Sequence, residues 1–270
     1  MSPASGGGNE PSELSMAATD FKPTIVGFLC NWCCYGGADL CGVSRYQYPP
    51  YLRVIRLMCS GRVDLAFIFQ AFAKGADGVF IGGCHLNDCH YNPEGNYDAL
   101  GNTLMAKRIL EHVGVNPERL RLEWVSAGEG IRFAEVMNEF SMKVKSLGPF
   151  ASSEGIDRTE LKSRLEAAVQ LVPYIKLVER ERLRVPVRTD EGYRKFFGSD
   201  EFNELFNELI LDKLVLGRIM RFLRRKAVSA GEICEGLGLN PSEVARHLDE
   251  LVQQGMVKFD ENQTLVAAAA

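Results

Sequence analysis

Three short apolar runs rich in β-forming residues each end directly at a cysteine, and this pattern constrains the fold more than any other feature of the sequence. The runs are TIVGFL before Cys30, VIRLM before Cys59 and GVFIGG before Cys84. If they are parallel strands of one sheet, their carboxyl ends lie at one edge, where open parallel sheets form their binding sites. Thiols that are far apart in sequence are then expected to converge.

Amphipathic segments separate the apolar runs, which is the order of a βαβ fold. Parallel strands need a crossover connection, so this alternation predicts an α/β domain with a flavodoxin-like parallel sheet over residues 21–148. The predicted strands are Thr24–Leu29, Val54–Met58, Gly78–Ile81 and Arg121–Val125, and the predicted helices are Asp64–Lys74, Ala99–Val113 and Gly130–Val144.

The rest of the chain divides into two further parts. Residues 149–211 are charged, with helices predicted around Glu160–Lys176 and Asp200–Leu211, and we interpret them as a helical connector. From residue 212 to 267 the pattern changes to three short helices and a β-hairpin, which predicts a winged-helix-like domain. Its helices are predicted at Lys213–Arg225, Ser229–Leu237 and Pro241–Gln254, with Glu261-Asn262 closing the wing.

Charge and composition narrow the setting in which the chain works. The formal net charge of −4 over 270 residues gives no general affinity for nucleic acid or membranes. No apolar run reaches the roughly 18 to 20 residues of a membrane span. Residues 1–20 lack the pattern of a signal peptide and are expected to form a disordered leader. The expected compartment is therefore the cytoplasm, whose reducing conditions favour metal binding or redox chemistry over disulfides.

Seven of the eight cysteines lie between residues 30 and 89, and five of these form the candidate site. The five are Cys30, Cys33, Cys59, Cys84 and Cys89. Thiolates suit zinc or an iron–sulfur cluster, because both bind soft sulfur ligands. Buried structural cysteines and a reactive dithiol are two other uses of this pattern. Structural zinc normally stabilises a small module with little core, whereas this region has a core of its own, so a cluster is favoured.

Glycines beside these cysteines are expected to form loops whose backbone N–H groups can approach sulfur. They are Gly36, Gly37, Gly42, Gly61, Gly82 and Gly83. His85 and His90 flank the C-x4-C motif, and we interpret them as hydrogen-bond donors near the site or as contacts for a partner, rather than as ligands.

Several motifs stand in one order along the first half of the chain: FLCNWCCYGGADLCG, RLMCSGRVD, GADGVFIGGCHLNDCHY, GNY and RLRLEWVSAGEG. Together they resemble the delta-subunit family of methyl-viologen-reducing hydrogenases, over about Lys22 to Val144. The resemblance implies a flavodoxin-like electron adaptor with one [2Fe–2S] cluster. It implies that four of Cys30, Cys33, Cys59, Cys84 and Cys89 are the cluster ligands and leaves Cys34 and Cys41 outside the ligand set.

The resemblance also implies partners. The chain would relay electrons between a partner oxidoreductase and the flavin subunit of a heterodisulfide-reductase-like complex, with that complex's iron–sulfur subunits nearby. The oxidoreductase would be a hydrogenase, an NADH- or formate-oxidising module or another reductase. Catalysis would belong to an anaerobic electron-bifurcating complex, and this chain would carry no substrate chemistry.

The C-terminal part leaves an alternative function open, namely a redox- or metal-sensing transcription regulator that binds DNA through its winged helix. The would-be recognition helix carries three acidic residues against Arg246 and His247, which disfavours phosphate contact. Basic residues gather earlier and predict a docking face for an acidic protein partner. These are Arg218, Arg221, Arg224, Arg225 and Lys226. Cys234 is predicted to be a core residue of this part.

Overall fold

The computed structural model describes residues 21–91, 95–224, 227–260 and 266–268. The expected disordered leader at residues 1–20 lies outside the described residues. So do the expected wing turn, Glu261-Asn262, and the basic pair Arg225 and Lys226.

Four parallel strands form the sheet: β1 (Ile25–Cys30), β2 (Leu52–Leu57), β3 (Gly78–Gly83) and β4 (Leu120–Trp124). Their spatial order is β2-β1-β3-β4, so β1 and β3 occupy the centre. β3 is buried along its whole length, whereas β2 is mostly exposed at the edge and carries two arginines. The predicted flavodoxin-like α/β class is confirmed.

Helices cover both faces of this sheet: α1 (Cys34–Val43), α2 (Leu65–Ala73), α3 (Gly95–Val113) and α4 (Gly130–Leu147). Apolar side chains of α2 and α3 pack on one face, and those of α1 and α4 pack on the other. The Asp64 side chain caps α2, because its carboxylate accepts a hydrogen bond from the Ala66 N–H at 2.9 Å. The left-handed Gly75 follows the helix and ends it.

Helix α1 was not predicted, because its glycines are poor helix formers. The helix packs closely against the segment after β4, where there is little room for side chains. A Cβ on Gly37 would lie 2.8 Å from the Ser126 carbonyl oxygen, and one on Gly36 would lie 3.0 Å from the Ala127 Cβ. Tertiary packing thus requires the residues that local propensity disfavours.

The segment interpreted as a connector contains α5 (Arg158–Glu181), α6 (Asp190–Phe197) and α7 (Asp200–Phe206), followed by a π-helical turn at Asn207–Leu211. α6 was not predicted. α5 packs along α2 and contributes buried residues to the core on that face of the sheet. These are Leu161, Leu165, Ala168, Val172, Ile175 and Val178.

A buried charge holds the chain after α4 against the sheet. Arg119 is fully buried and donates to Glu154 Oε1 at 2.5 Å. It also donates to the carbonyl oxygens of Asp77 and Gly148, each at 3.0 Å. The guanidinium therefore joins the turn before β4 to the loop before β3 and to the chain that follows α4.

The C-terminal part has a core of its own, built from α8 (Asp212–Leu223), α9 (Ala230–Leu237), α10 (Pro241–Gln253) and the antiparallel strands β5 (Val257–Phe259) and β6 (Val266–Ala268). A capping box between Ser229 and Glu232 begins α9. Gly238, in the left-handed conformation, ends that helix before α10. Within the described ranges, every helix is too short or too polar to cross a membrane.

The prediction of a free basic docking face on α8 was wrong for two of its residues. Arg218 donates to the Leu237 carbonyl oxygen at 2.8 Å. Arg221 donates to Ser163 on α5 at 3.1 Å and forms an ion pair with Glu166. These guanidinium groups hold elements of the chain together, so they are not available to an acidic partner.

Candidate functional site

The structure brings the five candidate cysteines together at the carboxyl edge of the sheet. Cys30 ends β1, Cys59 follows β2 and Cys84 follows β3, while Cys33 and Cys89 come from the loops beyond. Cys30 and Cys84 are each 1 % exposed, and Cys59 and Cys89 are each 7 % exposed. Cys33 packs against these four but is only partly buried.

The four buried thiols form two pairs. The Sγ atoms of Cys30 and Cys84 are 3.6 Å apart, and those of Cys59 and Cys89 are 3.9 Å apart. Two thiolates on one tetrahedral metal, with bonds of about 2.3 Å, would lie about 3.8 Å apart. Each pair therefore has the spacing of two ligands on one tetrahedral centre. No group of three or more His, Cys, Asp or Glu side chains in the described ranges is arranged to hold a single ion.

Backbone N–H groups favour negative charge on two of these sulfurs. A hydrogen bond with Cys84 and the N–H groups of Cys33, Trp32 and Ser60 lower the pKa of Cys30 to about 6. The hydrogen bond to Cys30 raises the pKa of Cys84, which stays a neutral donor. Burial raises the pKa of Cys59 to about 11, although the Gly61 N–H donates to its Sγ at 3.4 Å.

These donors differ from those expected. The prediction that glycines beside the cysteines form loops was wrong for Gly36, Gly37 and Gly42, which lie within α1, and for Gly82 and Gly83, which lie within β3. The Gly37 N–H donates to the Cys33 carbonyl oxygen at 2.8 Å, and Gly82 and Gly83 pair with neighbouring strands. The N–H donors come instead from the turn after β1 and the 3₁₀ turn Ser60–Arg62 after β2, where the chain leaves the sheet.

Close packing around Cys59 and Cys89 requires glycine at the start of α3. A Cβ on Gly95 would lie 2.3 Å from the Cys59 Sγ and 3.1 Å from the Cys89 Sγ. Gly61 faces the same helix terminus, and a Cβ there would lie 2.8 Å from the Gly95 Cα. Gly95 was not predicted to belong to the site, and its only signal in the sequence is a glycine in the GNY motif.

The two histidines beside the site contact other side chains. His85 Nε2 lies 2.7 Å from Glu129 Oε2. The hydrogen bond from the Ser126 N–H lowers the pKa of Glu129 most, and the hydrogen bond with His85 lowers it further. His90 stacks on Trp32 with ring centroids 4.1 Å apart, and Trp32 is 41 % exposed. The cysteine site thus lies beside an aromatic surface.

The other cysteines lie apart from this group. Cys34 and Cys41 belong to the core between the sheet, α1 and α4, and the Cys41 Sγ lies 3.6 Å from the Tyr46 carbonyl oxygen. Burial raises the pKa of both thiols. Cys234 packs partly buried against the C-terminal core. Burial among apolar groups gives all three an ordinary structural role.

Comparison with known proteins gives matches to two separate parts of the chain. Residues 25–148 match the family model described as methyl-viologen-reducing hydrogenase, delta subunit, and residues 217–258 match a helix-turn-helix domain. One relative, an iron-sulfur subunit of the F420-non-reducing hydrogenase of Archaeoglobus profundus, is 53 % identical over 48 % of this chain and 95 % of its own length.

Two further relatives show the range of proteins that contain a similar segment. An iron-sulfur subunit of the vhc F420-non-reducing hydrogenase of Methanococcus voltae is 50 % identical over 53 % of this chain and 99 % of its own length. One subunit of the ferredoxin/F(420)H(2)-dependent CoB-CoM heterodisulfide reductase of Methanosarcina acetivorans is 48 % identical over 48 % of this chain. The matching part is only 16 % of that longer protein.

Proposed function

Because the chain belongs to the methyl-viologen-reducing hydrogenase delta-subunit family, we propose that it is an electron-transfer subunit with one [2Fe–2S] cluster. The observation that carries the proposal is the double pairing of buried thiols, at 3.6 and 3.9 Å, on one edge of the sheet. A cysteine-ligated two-iron cluster would be held by four thiolates, two for each iron. The donor set fits this requirement in number, softness and spacing.

The pairing supports a specific ligand assignment. We assign Cys30 and Cys84 to one iron and Cys59 and Cys89 to the other. Cys33, the most exposed of the five, is then the thiol that is not a ligand. The N–H groups of Trp32, Cys33, Ser60 and Gly61 would stabilise negative charge on the thiolate sulfurs, while burial of the four ligands would exclude water.

When bound, such a cluster accepts and returns one electron at a time. The residues of this chain hold it at the sheet edge, beside the exposed Trp32 and the 46 % exposed Tyr91. A redox centre of another protein can therefore approach without displacing any of the sheet. This position suits electron transfer to another protein, and electron transfer needs no substrate pocket beside the thiols.

The test is anaerobic purification followed by assays of iron, acid-labile sulfide and the paramagnetic signal of the reduced protein. The wild-type chain is expected to hold two irons and two sulfides if one two-iron cluster is present. Alanine at each assigned ligand should abolish loading, whereas Cys33→Ala and the remote control Cys234→Ala should load fully. A wild-type chain with one tightly bound zinc and no acid-labile sulfide would end the proposal. Loss of the cluster in Cys33→Ala, with retention in a variant of an assigned ligand, would overturn only the assignment.

We further propose that the chain works in the cytoplasm, in an anaerobic electron-bifurcating complex. It would pass electrons between a partner oxidoreductase and a heterodisulfide-reductase-like flavin subunit. The support is that relatives of this domain occur both as separate hydrogenase subunits and as a segment of a longer heterodisulfide reductase protein. Identification of the proteins that copurify anaerobically with the full chain tests this, and isolation of a monomer at every salt concentration would contradict it.

A DNA-binding regulator is the second candidate, because residues 217–258 match a helix-turn-helix domain. In the structure, however, Arg246 of α10 donates to both carboxylate oxygens of Asp212, at 3.1 and 3.0 Å. His247 beside it is fully buried. Fluorescence anisotropy with labelled duplex DNA at low salt separates the two functions. Binding that weakens with salt and is lost in Arg246→Ala would favour the regulator.

A further inference from the structure

Ser60 is a buried polar residue with an unused hydroxyl group. The side chain is 1 % exposed, and its Oγ has no hydrogen-bond partner within the part of the chain that the structure describes. A buried hydroxyl without a partner destabilises a fold, whereas alanine would fill nearly the same space at no such cost. A serine here therefore calls for a partner that the protein atoms do not provide.

The hydroxyl lies between two segments that carry assigned ligands. Ser60 directly follows Cys59 and begins the 3₁₀ turn Ser60–Arg62, which the Cys59 sulfur caps by accepting the Gly61 N–H. On the other side, its Oγ lies 2.7 Å from the position that a Cβ on Gly83 would take. Gly83 immediately precedes Cys84, whose Sγ pairs with that of Cys30. The unpartnered oxygen is thus packed against the backbone that positions the Cys30 and Cys84 pair.

We infer that the Ser60 hydroxyl donates a hydrogen bond to a sulfur of the bound cluster and raises its reduction potential. The inference rests on the proposed function. The reduced cluster carries one more negative charge than the oxidised cluster, so a donor to sulfur stabilises the reduced state more. Ser60 is therefore a positioning residue that tunes the electron affinity of the relay.

The neighbouring Asn96 cannot take this role. Its side-chain amide donates to the His85 carbonyl oxygen at 2.7 Å, which fixes its orientation. The atom left without a partner is Oδ1, an acceptor, which negative sulfur would repel. The Ser60 hydroxyl can rotate and act as a donor, so it is the side chain beside the thiols that suits sulfur.

The experiment is a redox titration of the anaerobically purified full chain, followed by the paramagnetic signal of the reduced protein. Ser60→Ala is expected to lower the equilibrium constant for one-electron reduction about tenfold, which corresponds to about 59 mV. The matched control is Ser141→Ala. Ser141 is also 1 % exposed and has an unpartnered Oγ, but it lies on α4, which contributes none of the five cysteines. The reduction potential of the Ser141→Ala protein should equal that of the wild type.

A second measurement separates a direct hydrogen bond from a general change in packing. Hyperfine spectroscopy of the reduced wild-type protein should show a coupled proton that exchanges in deuterated buffer and is missing in Ser60→Ala. Equal potentials in loaded wild-type and Ser60→Ala protein would overturn the inference, and so would a Ser60→Ala chain that fails to retain iron and sulfide. If the wild-type chain itself holds no iron and acid-labile sulfide, the proposed function falls and this inference falls with it.

Discussion

Replacing Gly95 with alanine is expected to prevent cluster binding while leaving the fold intact. The added Cβ would lie 2.3 Å from the Cys59 Sγ. An ordinary contact needs about 3.5 to 4.0 Å, so the sulfur would have to move by about 1.2 to 1.7 Å. Metal–ligand distances tolerate changes of only about 0.2 Å, so the displacement is several times too large. The contact of the Cβ with the Cys89 Sγ, at 3.1 Å, works in the same direction.

The effect on folding should be modest. Overpacking costs about 1 to 3 kcal/mol, and alanine recovers up to about 1 kcal/mol through its higher helix propensity. Iron and acid-labile sulfide per chain, together with visible absorption, measure loading, while urea unfolding of the metal-free chain measures stability.

Gly42→Ala is the matched control for Gly95→Ala. A Cβ on Gly42 would meet no atom within 4 Å, and Gly42 lies in α1. This variant should load fully and gain about 0.5 to 1 kcal/mol of stability. Wild-type iron, sulfide and spectrum in Gly95→Ala would refute the reasoning, because they would show that the start of α3 does not limit the position of the Cys59 and Cys89 thiols.

Two further predictions concern stability. Arg119→Ala should lower the free energy of unfolding in urea by about 3 to 5 kcal/mol, because it leaves the buried Glu154 carboxylate unpaired, and a loss below about 1 kcal/mol would contradict this. Burial raises the pKa of Glu179 to about 7 from an ordinary value of 4.5, so the folded chain keeps a proton that the unfolded chain releases. Stability should therefore fall as the pH rises from about 4.5 to 7, and Glu179→Gln should be more stable than the wild type by on the order of 2 kcal/mol at pH 8 but nearly equal at pH 4. Equal melting temperatures at pH 8 would count against the raised pKa.

Local sequence patterns were enough to predict the sheet and the cysteines of the candidate site. Apolar runs of strand length alternate with amphipathic segments, and this local pattern is enough to predict parallel strands joined by helices. Because three of these runs end at Cys30, Cys59 and Cys84, the topology alone brings distant thiols to one edge. The motifs around them also sufficed to identify the family, which the comparisons confirm.

Other features depended on contacts that no local pattern encodes. α1 forms in spite of its glycines because the segment after β4 leaves no room for larger side chains, as the 2.8 Å contact at Gly37 shows. Arg218 and Arg221 appear in sequence as a free basic face, yet they bind carbonyl and carboxylate groups from other elements. Local propensity cannot show either result, because both depend on groups distant in sequence.

The arrangement within the site was likewise decided only in three dimensions. Spacing along the chain groups Cys30 with Cys33 and Cys84 with Cys89, whereas the structure pairs Cys30 with Cys84 and Cys59 with Cys89. The physical reason is that Cys30 and Cys84 follow the neighbouring strands β1 and β3, whose ends lie side by side, whereas the loop beyond β3 carries Cys89 across to Cys59. The sequence therefore identified the candidate thiols. Tertiary packing, including the close contacts at Gly95 and Ser60, determined how the thiols pair and what surrounds them.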